Sequence, residues 1–158
     1  MQFNEFKEKW LLFMDEYKRE RVSIPLRAAL TASSIAKNRV VETGRSSTGS
    51  VFGVYAKSTQ RRKKRSNRAN LSSFPNINFS QTNKMWRTTL PQIEKVSDNR
   101  VTITIKPTDS QRAKIMEYHN KRFEDKKGHL AALNKEETEN LLNDYKEELD
   151  KLYKKFLS

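Results

Sequence analysis

From Thr43 to Ile93 the chain carries ten Arg or Lys residues and no Asp or Glu. A third of the molecule therefore cannot neutralise itself with local ion pairs. Its cations must face solvent, reach acids elsewhere in the fold, or meet a partner. The formal net charge is +13, and ten of those excess charges sit in this stretch. Residues 1–42 carry eight bases and six acids, residues 94–108 three and two, and residues 109–158 eleven of each. Charge this localised points to a polyanionic partner or an acidic protein surface. The densest part is "STQRRKKRSNRAN", residues 58–70, with six cations. It reads as a nuclear-type basic signal, a nucleic-acid arm, an arm for an acidic protein groove, or a solvated loop. It lacks interleaved aromatics for base stacking, so any nucleic-acid binding should be blind to sequence and steeply salt-dependent.

The remaining composition closes several routes. With 158 residues, 35% of them apolar, the chain is expected to form a single domain over 1–158 with a modest core. No apolar run approaches eighteen residues, so no membrane span is expected. The opening "MQFNEFKEKW" lacks the apolar centre of a secretory signal. There is no cysteine, which excludes disulfides, thiolate metal sites and a cysteine nucleophile.

Periodicity divides the chain into an N-terminal helical region (1–42), a basic loop or arm (43–78) and a hairpin plus C-terminal helices (79–158). Phe3, Phe6, Trp10, Phe13 and Tyr17 recur at helical spacing and form an aromatic face, widened by Leu11 and Met14. That face packs on the chain's own core or docks on a neighbouring subunit, where aromatics are favoured. Ser23 and Pro25 fit a helix start, although Pro25 equally fits a kink in one long helix. Leu26, Ala29, Leu30, Ala36 and Val40 give the following stretch an apolar side, and the small residues of "RAALTASSIA" favour close packing. In the basic third, Val51–Tyr55 reads as a short extended piece, and Ser58 or Thr59 as the cap of a short helix over 60–66. Met85, Trp86 and Leu90 have helix-compatible spacing. Val101, Ile103 and Ile105 alternate with polar residues in a hairpin at about 92–106, turned by Ser97, Asp98 and Asn99. The spacing of Ile93 and Val96 on the partner strand calls for a bulge or a register shift. Asp109 or Ser110 caps a helix to Phe123, with Ile115, Met116, His119 and Phe123 inward. Asn134 and Glu137 form a capping-box pattern before a last helix with the stripe Leu141, Tyr145, Leu149, Leu152 and Phe156. The fold class is α+β.

No catalytic or metal-binding constellation is expected, and no cofactor. His119 and His129 lack metal-ligand spacing, and both read as structural or loop residues. The acids of the last helix, Glu136, Glu137, Glu139, Asp144, Glu147, Glu148 and Asp150, are matched by Lys135, Lys146, Lys151, Lys154 and Lys155, as on a solvated face. The stretch "STGS" lacks the lysine and spacing of a phosphate-cradling loop.

In order, "TGSVFGVYAKSTQRRKKRS", "NFSQTNKMWRTT", a hairpin, a helix, and a Leu-rich helix after "HLAALNKEE" resemble the neck and tail-completion proteins of tailed bacteriophages, the Mu-type virion-morphogenesis group. Tyr55, Ser58, Thr59 and Arg61 to Arg65 stand near that family's Tyr-Ser-Thr-basic stretch. Phe79, Thr82, Asn83, Met85 and Trp86 stand at its segment leading into the sheet, with Asn83 in place of the usual glycine. His129, Leu130, Leu133 and Asn134 stand at its final turn, although the Arg-Pro that often precedes that turn is missing. The likeness covers about residues 50–157. It implies a structural virion protein, assembled in the host cytoplasm as a ring of six or twelve copies. That ring would join head to tail around the DNA channel, next to portal or adaptor and tail proteins. The cations Lys57, Arg61, Arg62, Lys63, Lys64, Arg65 and Arg68 would then clamp an acidic surface of the next ring or touch genomic DNA, the first being expected. An arm that orders only on assembly would suit their composition. Phe6, Trp10, Phe13, Tyr17, Tyr55 and Trp86 are the expected subunit contacts. The alternative class is a small basic protein that binds nucleic acid without sequence preference.

Overall fold

A computed structural model describes residues 3–66, 74–79, 84–97, 100–127 and 129–157. The first element, α1 (Phe3–Thr43), is a single helix of 41 residues that continues through Pro25. An interior proline removes one backbone donor and crowds the preceding turn, at a cost of about 3 kcal/mol. Tertiary packing on both sides offsets that cost, because Ile24, Ala32, Ala36 and Val40 are all buried. Ser23 is accordingly no cap. It sits mid-helix, and its hydroxyl donates to Glu20. The helix ends where Gly44 takes φ +66 and its N–H returns to the Val40 carbonyl at 3.0 Å. That left-handed closing residue favours glycine.

The last helix, α5 (Lys135–Leu157), lies antiparallel along α1. Arg39 pairs with Glu137, Arg27 with Glu148 at 2.8 Å, and Lys155 with Glu16 at 3.5 Å. Phe13 meets Tyr153 and Phe156 edge-on at 6.3 and 6.4 Å between ring centres. Of the small residues in "RAALTASSIA", Ala32 and Ala36 are buried, whereas Leu30 is exposed. The capping box forms as expected. Glu137 N–H donates to Asn134 Oδ1, and Asn134 N–H donates to Glu137 Oε2, both at 2.8 Å.

The sheet is one antiparallel pair, β1 (Thr89–Ser97) and β2 (Arg100–Pro107). Ile93 lies opposite Ile103 and Val96 opposite Val101, and the register slips between Ile93 and Lys95. The slip explains the spacing of three. Absorbing Glu94 as an extra residue returns Val96 to the face of Ile93, so both join Val101 and Ile103. That face lies towards α1 and α5, with Val101 and Ile103 lining an apolar groove of about 530 Å³ together with Pro25, Ala28, Ala29, Leu141, Leu142 and Tyr145. The turn residues Asp98 and Asn99 lie outside the described residues.

Before the hairpin, α3 (Lys84–Thr88) is shorter than its sequence spacing implies. Leu90 belongs to β1, not to the helix. Pro91 disfavours helical backbone at Leu90, and the Thr88 and Thr89 hydroxyls close the last turn by donating to the Met85 carbonyl at 3.1 and 2.8 Å. After the hairpin, α4 (Ser110–Lys127) starts at Asp109, whose carboxylate accepts the Arg112 N–H at 2.8 Å.

The main core gathers at the C-terminal end of α1. Val40, Phe52, Met85, Trp86, Met116 and Leu130 are buried there, with Val41, Ile77, Phe79, Ile115 and Phe123 packed on them. Much of the supposed arm is therefore part of the domain. Phe52 N–H donates to the Gly44 carbonyl at 3.1 Å, Tyr55 N–H to Pro75 at 3.0 Å, and Ile77 N–H to Gly53 at 2.8 Å. Bridges pair Arg45 with Val51 and Val54 with Asn76.

Candidate functional site

The basic run folds as α2 (Lys57–Arg65), three residues earlier than predicted and with Ala56, not Ser58 or Thr59, at its N-cap. One of its cations is not a surface residue. Lys63 is only 2% exposed. Its ammonium donates to Asn78 Oδ1 at 3.2 Å and lies 4.4 Å from the centre of the Tyr55 ring. Tyr55 OH donates to the same Asn78 oxygen at 2.9 Å, Asn78 N–H donates to Tyr55 OH at 3.2 Å, and Asn78 Nδ2 donates to the Val41 carbonyl at 3.3 Å. These bonds fasten α2 to the C-terminal end of α1. Lys63 thus leaves the set of contact cations and becomes the anchor of the others.

At 100° per residue, Lys57, Arg61, Arg62, Lys64 and Arg65 fall within an arc of roughly 160° opposite Lys63. All five are exposed, and none forms an ion pair among the described residues. The result is a short, fixed, cationic ridge, already ordered in the single chain. Arg68 lies outside the described residues, as do Thr82 and Asn83.

The aromatic face sits at the other end of the molecule. Phe6, Trp10, Phe13 and Tyr17 stack in sequence, with ring centres 6.2, 5.5 and 6.0 Å apart. Phe13 is half-buried against α5, but Phe6 and Trp10 remain 47% and 43% exposed, and Leu11 and Leu12 56% and 60%. Phe6 and Trp10 lie on one side of this part of the helix, and Glu5, Glu8 and Asp15 on the other, so the exposed aromatics form a stripe that favours burial. Two other expected contacts are corrected by the fold. Trp86 is 2% exposed because α3 seats it beside Met85 in the core, and Tyr55 is half-buried in the Lys63–Asn78 cluster.

Sequence reasoning placed His119 on a helix face but missed its surroundings. A cavity of about 450 Å³ is lined by Tyr55, Ile77, Phe79, Met85, Arg112, Ile115, His119, Arg122 and Phe123. Burial, then the Arg122 charge, lowers the His119 pKa from its ordinary value, and Nδ1 has no hydrogen-bond partner. Phe79 holds φ +52, a strained conformation for a bulky residue. It is kept there by edge contacts to Phe52 at 5.0 Å, His119 at 4.7 Å and Phe123 at 5.9 Å. His129 is exposed in the α4–α5 link. Among the described residues no cluster of His, Asp and Glu could hold a metal ion, and no helix is long and apolar enough to cross a membrane. In comparisons with known proteins, no family model, no curated protein and no solved structure matches this chain.

Proposed function

We propose that this chain is a structural assembly protein that works by binding rather than catalysis. Its copies would form a ring of six or twelve in the neck or upper tail of a tailed-bacteriophage particle, joining portal or adaptor proteins to the tail around the DNA channel. One observation carries the reading. Two unsatisfied surfaces of different chemistry, an aromatic tip and a cationic ridge, lie at opposite ends of α1. Along its contour Trp10 and Val41, which mark the two surfaces, are separated by about 45 Å at 1.5 Å per residue. A joining protein needs that layout, with one end for one neighbour and one for another. The resemblance of residues 50–157 to neck and tail-completion proteins supplies the setting, and repetition around a ring multiplies contacts that are individually weak.

The test is deletion of the gene from its source genome, followed by electron microscopy of the lysate. Filled heads and separate tails, rejoined when the wild-type chain is supplied, are the expected result. Intact, infectious particles without the chain would overturn the reading.

A second reading is favoured by the five exposed, unpaired cations of α2. They would contact phosphates without reading bases, as a sequence-independent nucleic-acid protein does. Five phosphate contacts give a log–log salt slope of roughly −4.5. Tight binding to random duplex at physiological salt supports this second reading. Binding confined to low salt supports assembly.

A further inference from the structure

We propose that α2 of one copy docks on the outer face of α5 of a second copy. The inference rests on the assembly reading and names the contact that would build it. The solvent side of α5 is unlike the rest of this basic chain. Residues 135–150 contain seven acids and two lysines, a net charge of 2 − 7 = −5. Glu137 and Glu148 are taken by Arg39 and Arg27 of the same chain. Glu136, Glu139, Asp144, Glu147 and Asp150 are exposed, and at 100° per residue they fall within an arc of about 140° opposite the Leu141–Tyr145–Leu149–Leu152 stripe. Among the described residues only Glu139 of these five has an ion pair, a 3.8 Å contact with Lys135. Lys151, Lys154 and Lys155 close the acidic stretch at its C-terminal end.

The two faces match in sign and in scale. The acidic stretch from Glu136 to Asp150 is about 21 Å long and the ridge from Lys57 to Arg65 about 12 Å, so the ridge fits within it. Within one chain they do not meet, since no described α2 cation pairs with an α5 carboxylate. Each copy therefore offers one unsatisfied cationic face and one unsatisfied anionic face. A second copy is the occupant that satisfies both at once, whereas a nucleic acid would neutralise the ridge and be repelled by α5. Because the two faces differ, the contact is heterologous. Repeated contacts of that kind close into a ring when the rotation permits. Lys63 gives the ridge a fixed orientation, so docking has to order the exposed side chains but not the backbone of α2.

The experiment uses the full chain in sedimentation velocity at low and high salt. One variant reverses the ridge (Arg61→Glu, Arg62→Glu, Arg65→Glu) and spares Lys63. The other reverses the α5 face (Glu136→Lys, Glu147→Lys, Asp150→Lys). All six positions are exposed, and circular dichroism checks that each variant is folded. The wild type is expected to associate at low salt and to lose at least about tenfold in association near 0.5 M salt, where the screening length is under about 5 Å. Each variant alone should stay monomeric. Their equimolar mixture should associate again, because the native acids of the first meet the native ridge of the second, and the reversed faces meet each other. Wild-type assembly that survives in both variants would overturn the α2–α5 contact while leaving assembly standing. A wild type that stays monomeric, or a mixture without rescue, would also overturn it. Should the variants fail to fold, salt-insensitive association of the wild type would be enough to refute it.

Discussion

Lys63 offers the sharpest test of how the ridge is held, because three substitutions there separate charge, stem and sign. Lys63→Met keeps most of the buried stem. It gives up a charged hydrogen bond to Asn78, about 1.5–3 kcal/mol, and a cation–π contact with Tyr55, about 0.5–2 kcal/mol. It also removes the cost of burying an ammonium, several kcal/mol per ion in real proteins. The terms nearly cancel, and a change within about 1 kcal/mol is expected. Lys63→Ala removes three methylenes as well, at about 0.8 kcal/mol each, so a loss of about 2–3 kcal/mol follows. Lys63→Glu sets a carboxylate against Asn78 Oδ1, which already accepts from Tyr55 OH at 2.9 Å, and should cost more than about 3 kcal/mol. Since α2 has only nine residues, the loss should appear first as local opening. Hydrogen exchange of the amides of residues 61–66, with α1 and α5 as internal references, reads it directly. The expected order of protection is wild type and Met, then Ala, then Glu. Equal protection in wild type and Lys63→Glu would refute the anchor, and with it the fixed ridge.

Other substitutions test the surrounding frame. Asn134→Ala removes the side-chain half of the capping box and should lower stability by about 1 kcal/mol in urea unfolding, with the first turn of α5 losing protection. Gly44→Ala brings a Cβ to 2.7 Å from Asn76 Cβ at φ +66, so it should destabilise by more than about 1 kcal/mol and loosen the Val54–Asn76 bridge in exchange experiments. The lowered pKa of His119 means that the unfolded chain binds its proton first as pH falls. Stability should therefore drop as pH falls from about 6.5 towards the folded-state value, and His119→Phe should flatten that slope in thermal melts taken across this range.

Much of the frame was legible because it depends on local chemistry. The hairpin strand of Val101, Ile103 and Ile105, the capping box at Asn134 and Glu137, and the Asp109 start of α4 each rest on a few adjacent residues, and all are present, although residues 101–106 are uniformly half-buried rather than alternately buried and exposed. What escaped depends on distant partners. Pro25 stays inside a helix only because α5 and the hairpin pack beside it. Lys63 looks like its five cationic neighbours until Tyr55, eight residues earlier, and Asn78, fifteen later, are brought beneath it. Trp86 belongs to the core because α3 ends at Thr88 and turns its side chain inward, which its spacing from Leu90 did not show. The acids of α5 looked neutralised by the lysines between them. Their separation onto an outer face emerges once Leu141, Tyr145 and Leu149 fix which side of the helix turns inward.

The most direct test of the assembly account is the copy number of this chain in purified particles. Particles pelleted from a lysate of the source would be digested, and this chain quantified by mass spectrometry against the portal and major capsid proteins. The account predicts six or twelve copies per particle, in constant ratio to the portal. Absence from the particles, or a variable trace that washes away with salt, would contradict it.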